Sequence, residues 1–422
     1  MKKYKKRIAD ILLKRKLEGM GAVLIEGPKW CGKTTTAEQQ AKSIVYMDDT
    51  EEGTDWIQLA NINPQGVLTG DTPRLIDEWQ LTPHLWDAIR YQVDHRGEDG
   101  QFILTGSAVP VEEEKIRHSG TGRISWLTMR PMSLWESGDS NGGVSLKQLF
   151  DGQENCFVQN SQNLEDIAYL VCRGGWPRAT TQRKEVALGR AFDYYDAVVK
   201  RDISRVDNVK RDAERTRRIM RSYARHQGSQ TPISVITDDV RANDEIDDKT
   251  VYSYVAALKK IFVIEDMTAW NPNLRSKTAI RTSDNRYFVD PSVATAALGM
   301  GPEDLMNDLN TFGLFFETLC VRDLRVYADA IDGEVYHYRD KNGLECDAVV
   351  HLRNGSYGLI EIKLGGDALL QDGVKTLKKL AAKIDTSKMK EPSFLMILTA
   401  VGKVAYKRED GIYVVPITCL KD

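Results

Sequence analysis

The sequence predicts an α/β fold whose first part is a parallel sheet with helices between its strands. Three observations support this prediction. A short apolar run at 22–26 leads directly into a glycine-rich loop, and a helix is predicted after the loop over 34–43. Two further apolar runs, at 73–77 and 101–104, alternate with helical sequence. This alternation is typical of right-handed βαβ units with a buried parallel sheet.

The loop at 27–34 is the most specific motif of the chain, because it reads Gly-Pro-Lys-Trp-Cys-Gly-Lys-Thr without interruption. Gly27 and Gly32 permit a tight curl that turns backbone N–H groups towards phosphate oxygens. Lys33 would reach the β- and γ-phosphates, and Thr34 would offer its hydroxyl to Mg²⁺. No guanine-reading Asn-Lys-x-Asp motif follows, which favours ATP. The predicted nucleotide contacts are Gly27, Pro28, Lys29, Trp30, Cys31, Gly32, Lys33, Thr34 and Thr35.

Two strand ends supply the predicted catalytic groups. Asp77 and Glu78 close the second apolar run; Asp77 would complete the Mg²⁺ shell, and Glu78 would polarise the attacking water. Thr105 or Ser107 ends the next strand and would sense the γ-phosphate or hold the water, since ligands bind at the carboxyl edge of a parallel sheet.

Arginines near these strands leave alternatives open. Arg123 precedes a predicted fifth strand at 124–129. It either reaches the phosphate of a neighbouring subunit as an arginine finger, which requires a dimer or ring, or pairs with a local carboxylate. Further along, Arg201 and Arg205 lie one helical turn apart. They either pair with nearby aspartates or reach phosphate, and the sequence favours local ion pairs with Asp202 and Asp207.

Several segments together resemble a prokaryotic AAA-type ATPase family, whose members end in a domain of unknown function similar to restriction-type nucleases. These segments read RLIDEWQ at 74–80, FILTGSA at 102–108, MRPMSLWE at 129–136, GGWP at 174–177 and RDISRV at 201–206. The resemblance covers nearly the whole chain. It implies a P-loop, AAA+-like ATPase with a helical lid over the nucleotide, and the GGWP turn would belong to that lid.

The chain of 422 residues is too long for one core. We predict an ATPase core at 1–140, a helical lid at 141–211, a winged-helix domain at 212–300 and a restriction-endonuclease-like α/β domain at 301–422. A Gly/Ser/Asp-rich loop or linker is expected at 138–154.

The predicted winged helix has helices at 214–227, from 231 onward and at 248–260, followed by strands at 261–265 and 286–289. A basic wing between those strands supplies the predicted DNA contacts Arg275, Lys277 and Arg281. The alternative is that this domain packs against neighbouring protein instead of DNA.

The C-terminal part carries a D…E-x-K pattern on three predicted strands at 334–340, 345–352 and 357–363. Asp347 lies on the second strand, and Glu361 and Lys363 share a face of the third. The two carboxylates would hold Mg²⁺ or Mn²⁺, and the lysine would orient the attacking water. Glu317, on a preceding helix at 312–326, would add a third carboxylate. The alternative is a solvated Glu/Lys pair on an inactive scaffold.

Composition limits the function classes. The net charge of −3 provides no global attraction to nucleic acid, so any DNA contact must be local. Six cysteines without a C-x-x-C pair favour a reducing cytoplasm, and no apolar run is long enough to cross a membrane. Two hypotheses follow. One is an ATPase that acts on DNA and cuts it with metal; the other is a nucleotide-driven switch or DNA-binding regulator with a silent C-terminal domain.

Overall fold

We describe the fold from a computed structural model. The structure describes residues 4–107, 116, 118–153, 156–207, 209–242, 244–272 and 282–422. The chain forms two compact units. The first comprises Met1–Pro131, Lys200–Arg211 and Val255–Val263, and the second comprises Met132–Val199, Asp212–Tyr254 and Ile264–Asp422.

A five-stranded parallel sheet forms the centre of the first unit. Its elements are α1 (Ile8–Leu17), β1 (Ala22–Glu26), α2 (Lys33–Glu38), β2 (Ser43–Tyr46), α3 (Gly53–Ile62), α4 (Pro64–Val67), β3 (Arg74–Asp77), α5 (Leu85–Arg96), β4 (Phe102–Gly106) and β5 (Ile124–Thr128). The strand order is β2-β3-β4-β1-β5, so β4 lies between the strand before the glycine-rich loop and the strand that ends in Asp77. The register aligns Thr105 with both Ile25 and Asp77. The carboxyl ends of these three strands therefore meet at one edge.

The predicted parallel sheet is confirmed. Its three central strands, β1, β3 and β4, are buried along most of their length, as parallel strands covered on both faces must be. The helix predicted over 34–43 is shorter, however, because α2 ends at Glu38. Lys42 already donates its N–H to the carbonyl of Pro73 at 2.8 Å, so the chain has left the helix and entered the approach to β2.

The second unit is built on a seven-stranded mixed sheet. Its first elements are α6 (Leu134–Ser137), β6 (Val144–Ser145), α7 (Leu146–Phe150), β7 (Val158–Gln159), α8 (Leu164–Arg173), α9 (Lys184–Lys200), α10 (Ala213–Arg225), α11 (Ile233–Arg241) and α12 (Asp248–Lys260), whose last turns belong to the first unit. The later elements are α13 (Pro291–Leu298), α14 (Pro302–Asn307), α15 (Leu309–Ala330), β8 (Gly333–Arg339), β9 (Glu345–Leu352), β10 (Tyr357–Lys363), α16 (Asp367–Lys383), β11 (Phe394–Thr399), β12 (Val404–Lys407), β13 (Tyr413–Pro416) and β14 (Leu420–Lys421).

The sheet order is β7-β12-β13-β11-β10-β9-β8. Strands β8, β9 and β10 form an antiparallel meander, and β11 pairs parallel with β10 after the crossover through α16. The predicted helix at 312–326 and the three predicted strands are therefore present, as part of α15 and as β8, β9 and β10.

Two local predictions are wrong. The expected linker at 138–154 contains α7 and β6, and β6 pairs parallel with β14 near the end of the chain. The strands expected at 261–265 and 286–289 are not regular strands in the described part of this region. The chain forms isolated antiparallel bridges there, Ile264 with Phe288 and Met267 with Asn285. The three helices expected before them are present as α10, α11 and α12, whereas the four-domain division stays a prediction.

Within the described residues, no helix combines the length and the apolar character that crossing a membrane requires.

Candidate functional site

The loop between β1 and α2 takes a backbone path that only glycine tolerates at two positions. Gly27 and Gly32 have φ values of 147° and 101°, and Trp30 also has a positive φ of 66°. A Cβ on Gly27 would lie 2.1 Å from the carbonyl oxygen of Met129. Cys31 is fully buried, and its Sγ lies 3.4 Å from the same carbonyl. Close packing against the residue after β5 therefore fixes the curl of the loop.

The ammonium of Lys33 lies inside this curl. Its Nζ donates hydrogen bonds of 2.9 Å to the carbonyl oxygens of Gly27 and Pro28, and the side chain is buried. Lys29 extends away from the curl, and its Nζ lies 2.7 Å from Asp202 Oδ1. Trp30 is half-exposed at 49%, so its ring is not part of the packed core.

Asp77, at the carboxyl end of β3, accepts hydrogen bonds from two neighbouring elements. Its Oδ1 accepts a hydrogen bond of 2.8 Å from the hydroxyl of Thr34 and another from the hydroxyl of Thr105. Burial raises the pKa of the Asp77 carboxyl, while these two hydroxyl donors act in the opposite direction. The structure thus brings three predicted residues together on one carboxylate oxygen, although they come from α2, β3 and β4.

Glu78 follows Asp77 with a left-handed backbone conformation, φ 52° and ψ 42°. The amide of Gln80 donates a hydrogen bond to Glu78 Oε2, and burial raises the pKa of the Glu78 carboxyl. Sequence reasoning missed Gln80 as a partner, although it stands only two positions beyond the acidic pair. Ser107 is buried one residue past the end of β4.

The arginines considered in the sequence analysis do not all form the ion pairs that were expected. Arg123 lies with its Nε 2.7 Å from Asp94 Oδ1, which is the local pairing that the sequence left open. The ion pairs favoured for Arg201 and Arg205 are wrong. Asp202 pairs with Lys29 instead, and Asp207 pairs with Arg211 at 2.7 Å.

A second cluster lies on the meander of the second unit. Lys363 Nζ is 2.9 Å from Asp347 Oδ2 and 2.8 Å from Glu361 Oε2. Burial, together with the charge of Asp347, raises the pKa of Glu361 to about 8. One ammonium group therefore bridges a carboxylate on β9 and a carboxylate on β10. Carboxylate oxygens are the ligand type that Mg²⁺ and Mn²⁺ prefer.

Glu317 does not complete this cluster. Its Oε1 accepts a hydrogen bond from the hydroxyl of Tyr287, and burial, followed by the charge of Asp347, raises its pKa to about 8. Among the described residues, no three His, Cys, Asp or Glu side chains are grouped closely enough to ligate one ion. In this arrangement Glu317 is therefore not grouped with Asp347 and Glu361 as a ligand set, and Tyr287 is a partner that the sequence did not reveal.

The cluster lines a cavity of about 580 Å³ that also carries two lysines. Lys379 and Lys383, one turn apart on α16, face the same cavity as Asp347, Glu361 and Lys363. Lys383 is bound to Asp340, another lining residue. Sequence reasoning missed both lysines, whose i, i+4 spacing on α16 places them on one face of the helix. The cavity thus combines carboxylates on strands with ammonium groups on a helix.

The predicted DNA contacts Arg275, Lys277 and Arg281 lie outside the described residues. The backbone on either side of them is held by the isolated bridges between 264–267 and 285–288.

Residues 20–137 match a family described as an AAA domain. This match covers the glycine-rich loop, the Asp77-Glu78 strand end and Thr105. Two further matches are to domains of unknown function, DUF8612 over residues 164–304 and DUF4143 over residues 312–420. The part of the chain that carries the glycine-rich loop and the acidic strand end is therefore similar to AAA domains.

Whole-chain similarity adds no assigned activity. The chain is 25% identical over 361 residues to the uncharacterized protein Rv2008c of Mycobacterium tuberculosis, an alignment that spans 85% of this chain and 74% of that protein. The uncharacterized protein Mb2031c of Mycobacterium bovis gives the same values. Among solved structures, a Walker-type ATPase of Pyrococcus abyssi aligns with a TM-score of 0.42 and 15% identity, over 68% of this chain and 94% of the other.

Proposed function

We propose that this protein is a Mg²⁺-dependent ATPase that hydrolyses ATP at the carboxyl edge of its parallel sheet. The observation that supports this most directly is the convergence on Asp77 Oδ1, where the hydroxyl of Thr34 donates at 2.8 Å. The hydroxyl of a P-loop threonine and a carboxylate at a strand end are the protein groups that hold Mg²⁺ beside a triphosphate. The bound ion would supply charge stabilisation to the phosphoryl oxygens.

The remaining roles follow from the contacts of each side chain. Lys33 would exchange its two bonds to loop carbonyls for bonds to phosphate oxygens, because an ammonium donates more strongly to an anion. Glu78 would accept the proton of the attacking water at its carboxylate, and its raised pKa favours that acceptance. Thr105 and Ser107 would hold the water or sense the γ-phosphate from the end of β4.

Two substitutions with matched controls test this proposal. Lys33→Ala should abolish binding of Mg·ATP in a calorimetric titration, whereas Lys42→Ala, an exposed lysine just after the same helix, should bind normally. Glu78→Gln should bind Mg·ATP with near-normal affinity and lose turnover by ~100-fold or more, whereas Glu98→Gln, at an exposed position, should hydrolyse at the wild-type rate. Normal hydrolysis by Glu78→Gln would remove Glu78 from the mechanism.

A second function is favoured by the cavity of the second unit. We propose that it cleaves DNA phosphodiesters with Mg²⁺ or Mn²⁺ held by Asp347 and Glu361. Lys363 would orient the water, and Lys379 would attract the anionic strand. The support is the shared contact of Lys363 with both carboxylates at 2.9 and 2.8 Å, inside a cavity that also exposes ammonium groups.

Plasmid nicking tests the second function. Wild-type protein with Mn²⁺ or Mg²⁺ should relax supercoiled plasmid, and Asp347→Ala and Lys363→Ala should not. Lys375→Ala is the control, because Lys375 lies on the neighbouring helix α16, is exposed and pairs with Asp372 on the same helix. If the wild-type protein does not cut the plasmid with ATP, with ADP or without nucleotide, the alternative hypothesis is favoured. In that hypothesis the protein is a nucleotide-driven switch, or a regulator that binds DNA through the predicted winged helix at 212–300.

A further inference from the structure

Helix α16 packs against strand β10 beside the carboxylate cluster. A Cβ added to Gly373 would lie 3.5 Å from the Cβ of Glu361, so the helix crosses the strand at that glutamate. The apolar side chains of Val374, Leu377 and Leu380 are buried, and they fix the rotation of the helix about its axis. The residues that follow Gly373 therefore lead away from Glu361 along a helix of fixed orientation.

Polar side chains of α16 line the same cavity as Glu361. They are Thr376, Lys379 and Lys383. At about 100° per residue they fall within about 60° of one another around the helix, and they lie about 4.5, 9 and 15 Å beyond Gly373 along its axis. Helical side chains lean towards the N-terminus of their helix, so the Lys379 side chain leans back towards the carboxylate cluster. The helix therefore presents a row of one hydroxyl and two ammonium groups that begins beside Glu361.

The four lysines of α16 differ in what they bind. Three of them form ion pairs, which are Lys375 with Asp372 at 3.2 Å, Lys378 with Asp410 at 2.9 Å and Lys383 with Asp340. Lys379 is exposed and forms no ion pair or hydrogen bond with any residue that the structure describes. The hydroxyl of Thr376 likewise has no hydrogen-bond partner in the described part of the chain. These two groups are therefore available to an anion.

The other ammonium groups of the cavity are already paired with carboxylates. Lys363 is bound to two of them, at 2.9 and 2.8 Å, and Lys383 is bound to Asp340. Within the described lining, Lys379 is thus the lysine that has no carboxylate of its own. An ammonium group and a hydroxyl are common protein donors to the phosphates of DNA, and the charged donor makes the stronger bond. The α16 side of the cavity is therefore suited to a phosphate.

We propose that Thr376 and Lys379 bind one phosphate of the DNA strand at a fixed distance from the phosphate that is cleaved. This inference rests on the proposed DNA cleavage and specifies its substrate as a polynucleotide that supplies a second phosphate to the cavity. One strand of DNA has a phosphate about every 3.4 Å along the helix axis. Because Lys379 lies about 9 Å along α16 from Gly373, the second phosphate is no more than about three nucleotides from the cleaved one.

Fluorescence anisotropy with a short labelled DNA duplex, and with Ca²⁺ as the divalent ion, tests the contact. Lys379→Ala should weaken binding by about tenfold and reduce the slope of log affinity against log salt concentration by about 0.9, because one phosphate contact is lost. Lys379→Arg should keep the wild-type slope, because it retains the cation. Lys375→Ala is the matched control and should change neither value, since Lys375 is exposed on the same helix but does not line the cavity.

Mapping of the cut sites tests the fixed distance. The substrate is a duplex in which one neutral methylphosphonate linkage replaces a phosphate near the centre of one strand. Wild-type protein should cut that strand poorly at the neutral linkage itself and also at one phosphate a fixed number of nucleotides from it. Lys379→Ala should still avoid the neutral linkage but should cut normally at the second position. A variant that avoids both positions as the wild type does would overturn the assignment.

The outcomes separate this inference from the proposed cleavage. If no plasmid is cut but DNA binding depends on Lys379, the cleavage proposal fails and the phosphate site stands. If plasmid is cut but Lys379→Ala binds DNA with the wild-type affinity and slope, or Lys375→Ala loses as much affinity, the phosphate site is overturned and cleavage stands. If the wild-type protein binds no DNA, both are overturned.

Discussion

Replacing Gly27 by alanine should disrupt the contact between the P-loop and strand β5. The new Cβ would lie 2.1 Å from the carbonyl oxygen of Met129, and the backbone φ of 147° is one that side chains rarely adopt. Such a conformation costs about 1–3 kcal/mol for a non-glycine residue. Relief of the clash requires Met129 to move, which breaks the 2.7 Å hydrogen bond from its N–H to Glu26 and costs about 1 kcal/mol more. We expect a local destabilisation of about 3 kcal/mol.

Amide hydrogen exchange on peptides that cover β1 and β5 measures this local opening directly. The control is Gly97→Ala, at a position with φ 65° and no atom within 4 Å of an added Cβ. That change carries only the backbone cost of about 1–2 kcal/mol and leaves the sheet edge untouched. Protection of β1 and β5 in Gly27→Ala equal to that in Gly97→Ala would refute the reasoning. Loss of Mg·ATP binding should accompany the opening, because Gly27 also supplies a carbonyl contact of Lys33.

Two further perturbations have defined outcomes. Arg322→Met should lower the free energy of unfolding of the second unit by about 3–5 kcal/mol, because it leaves the buried carboxylates of Asp290 and Asp323 unpaired. Urea denaturation measures this loss. The control Arg123→Met removes a surface ion pair and should not change the free energy of unfolding measurably. Burial lowers the pKa of His337 from 6.5 to about 4, so the stabilisation from keeping it neutral is present above pH 6.5 and is lost as the pH falls towards 4. Between pH 7 and pH 5 the loss should be about 2 kcal/mol, and His337→Gln should show a flatter pH profile if the histidine is its source.

The sequence predicted those parts of the two sites that are encoded by short motifs on single elements. The glycine-rich loop follows β1 directly, and Asp77 closes β3, so strand ends could be recognised from apolar runs and their flanking polar residues. Glu361 and Lys363 share a strand face because side chains alternate along a strand. Asp347 was expected nearby because turn residues at 353–355 join the two strands into a hairpin. The approximate limits of α10 and α12 were also predicted from the sequence.

Contacts between distant segments could not be predicted in this way. Three such contacts are the ion pair of Lys29 with Asp202, the hydrogen bond from Tyr287 to Glu317 and the parallel pairing of β6 with β14. In each case the sequence around one residue gives no information about its distant partner. Glu317 was expected to add a third carboxylate from the helix that precedes the three strands. In the structure it accepts a hydrogen bond from Tyr287, and among the described residues no three such side chains are grouped closely enough for one ion.

The amino-acid sequence alone determined that a glycine-rich loop follows the first strand of a parallel sheet, because backbone curvature, strand burial and turn chemistry are local properties of neighbouring residues. The tertiary structure decided which charged groups remain available for chemistry. Arg123, Arg211 and Asp202 each form an ion pair in the folded chain, whereas the guanidinium of Arg205 forms none with any described residue. Which charged groups form pairs depends on the distances between segments that are far apart in sequence and come together only in the folded chain.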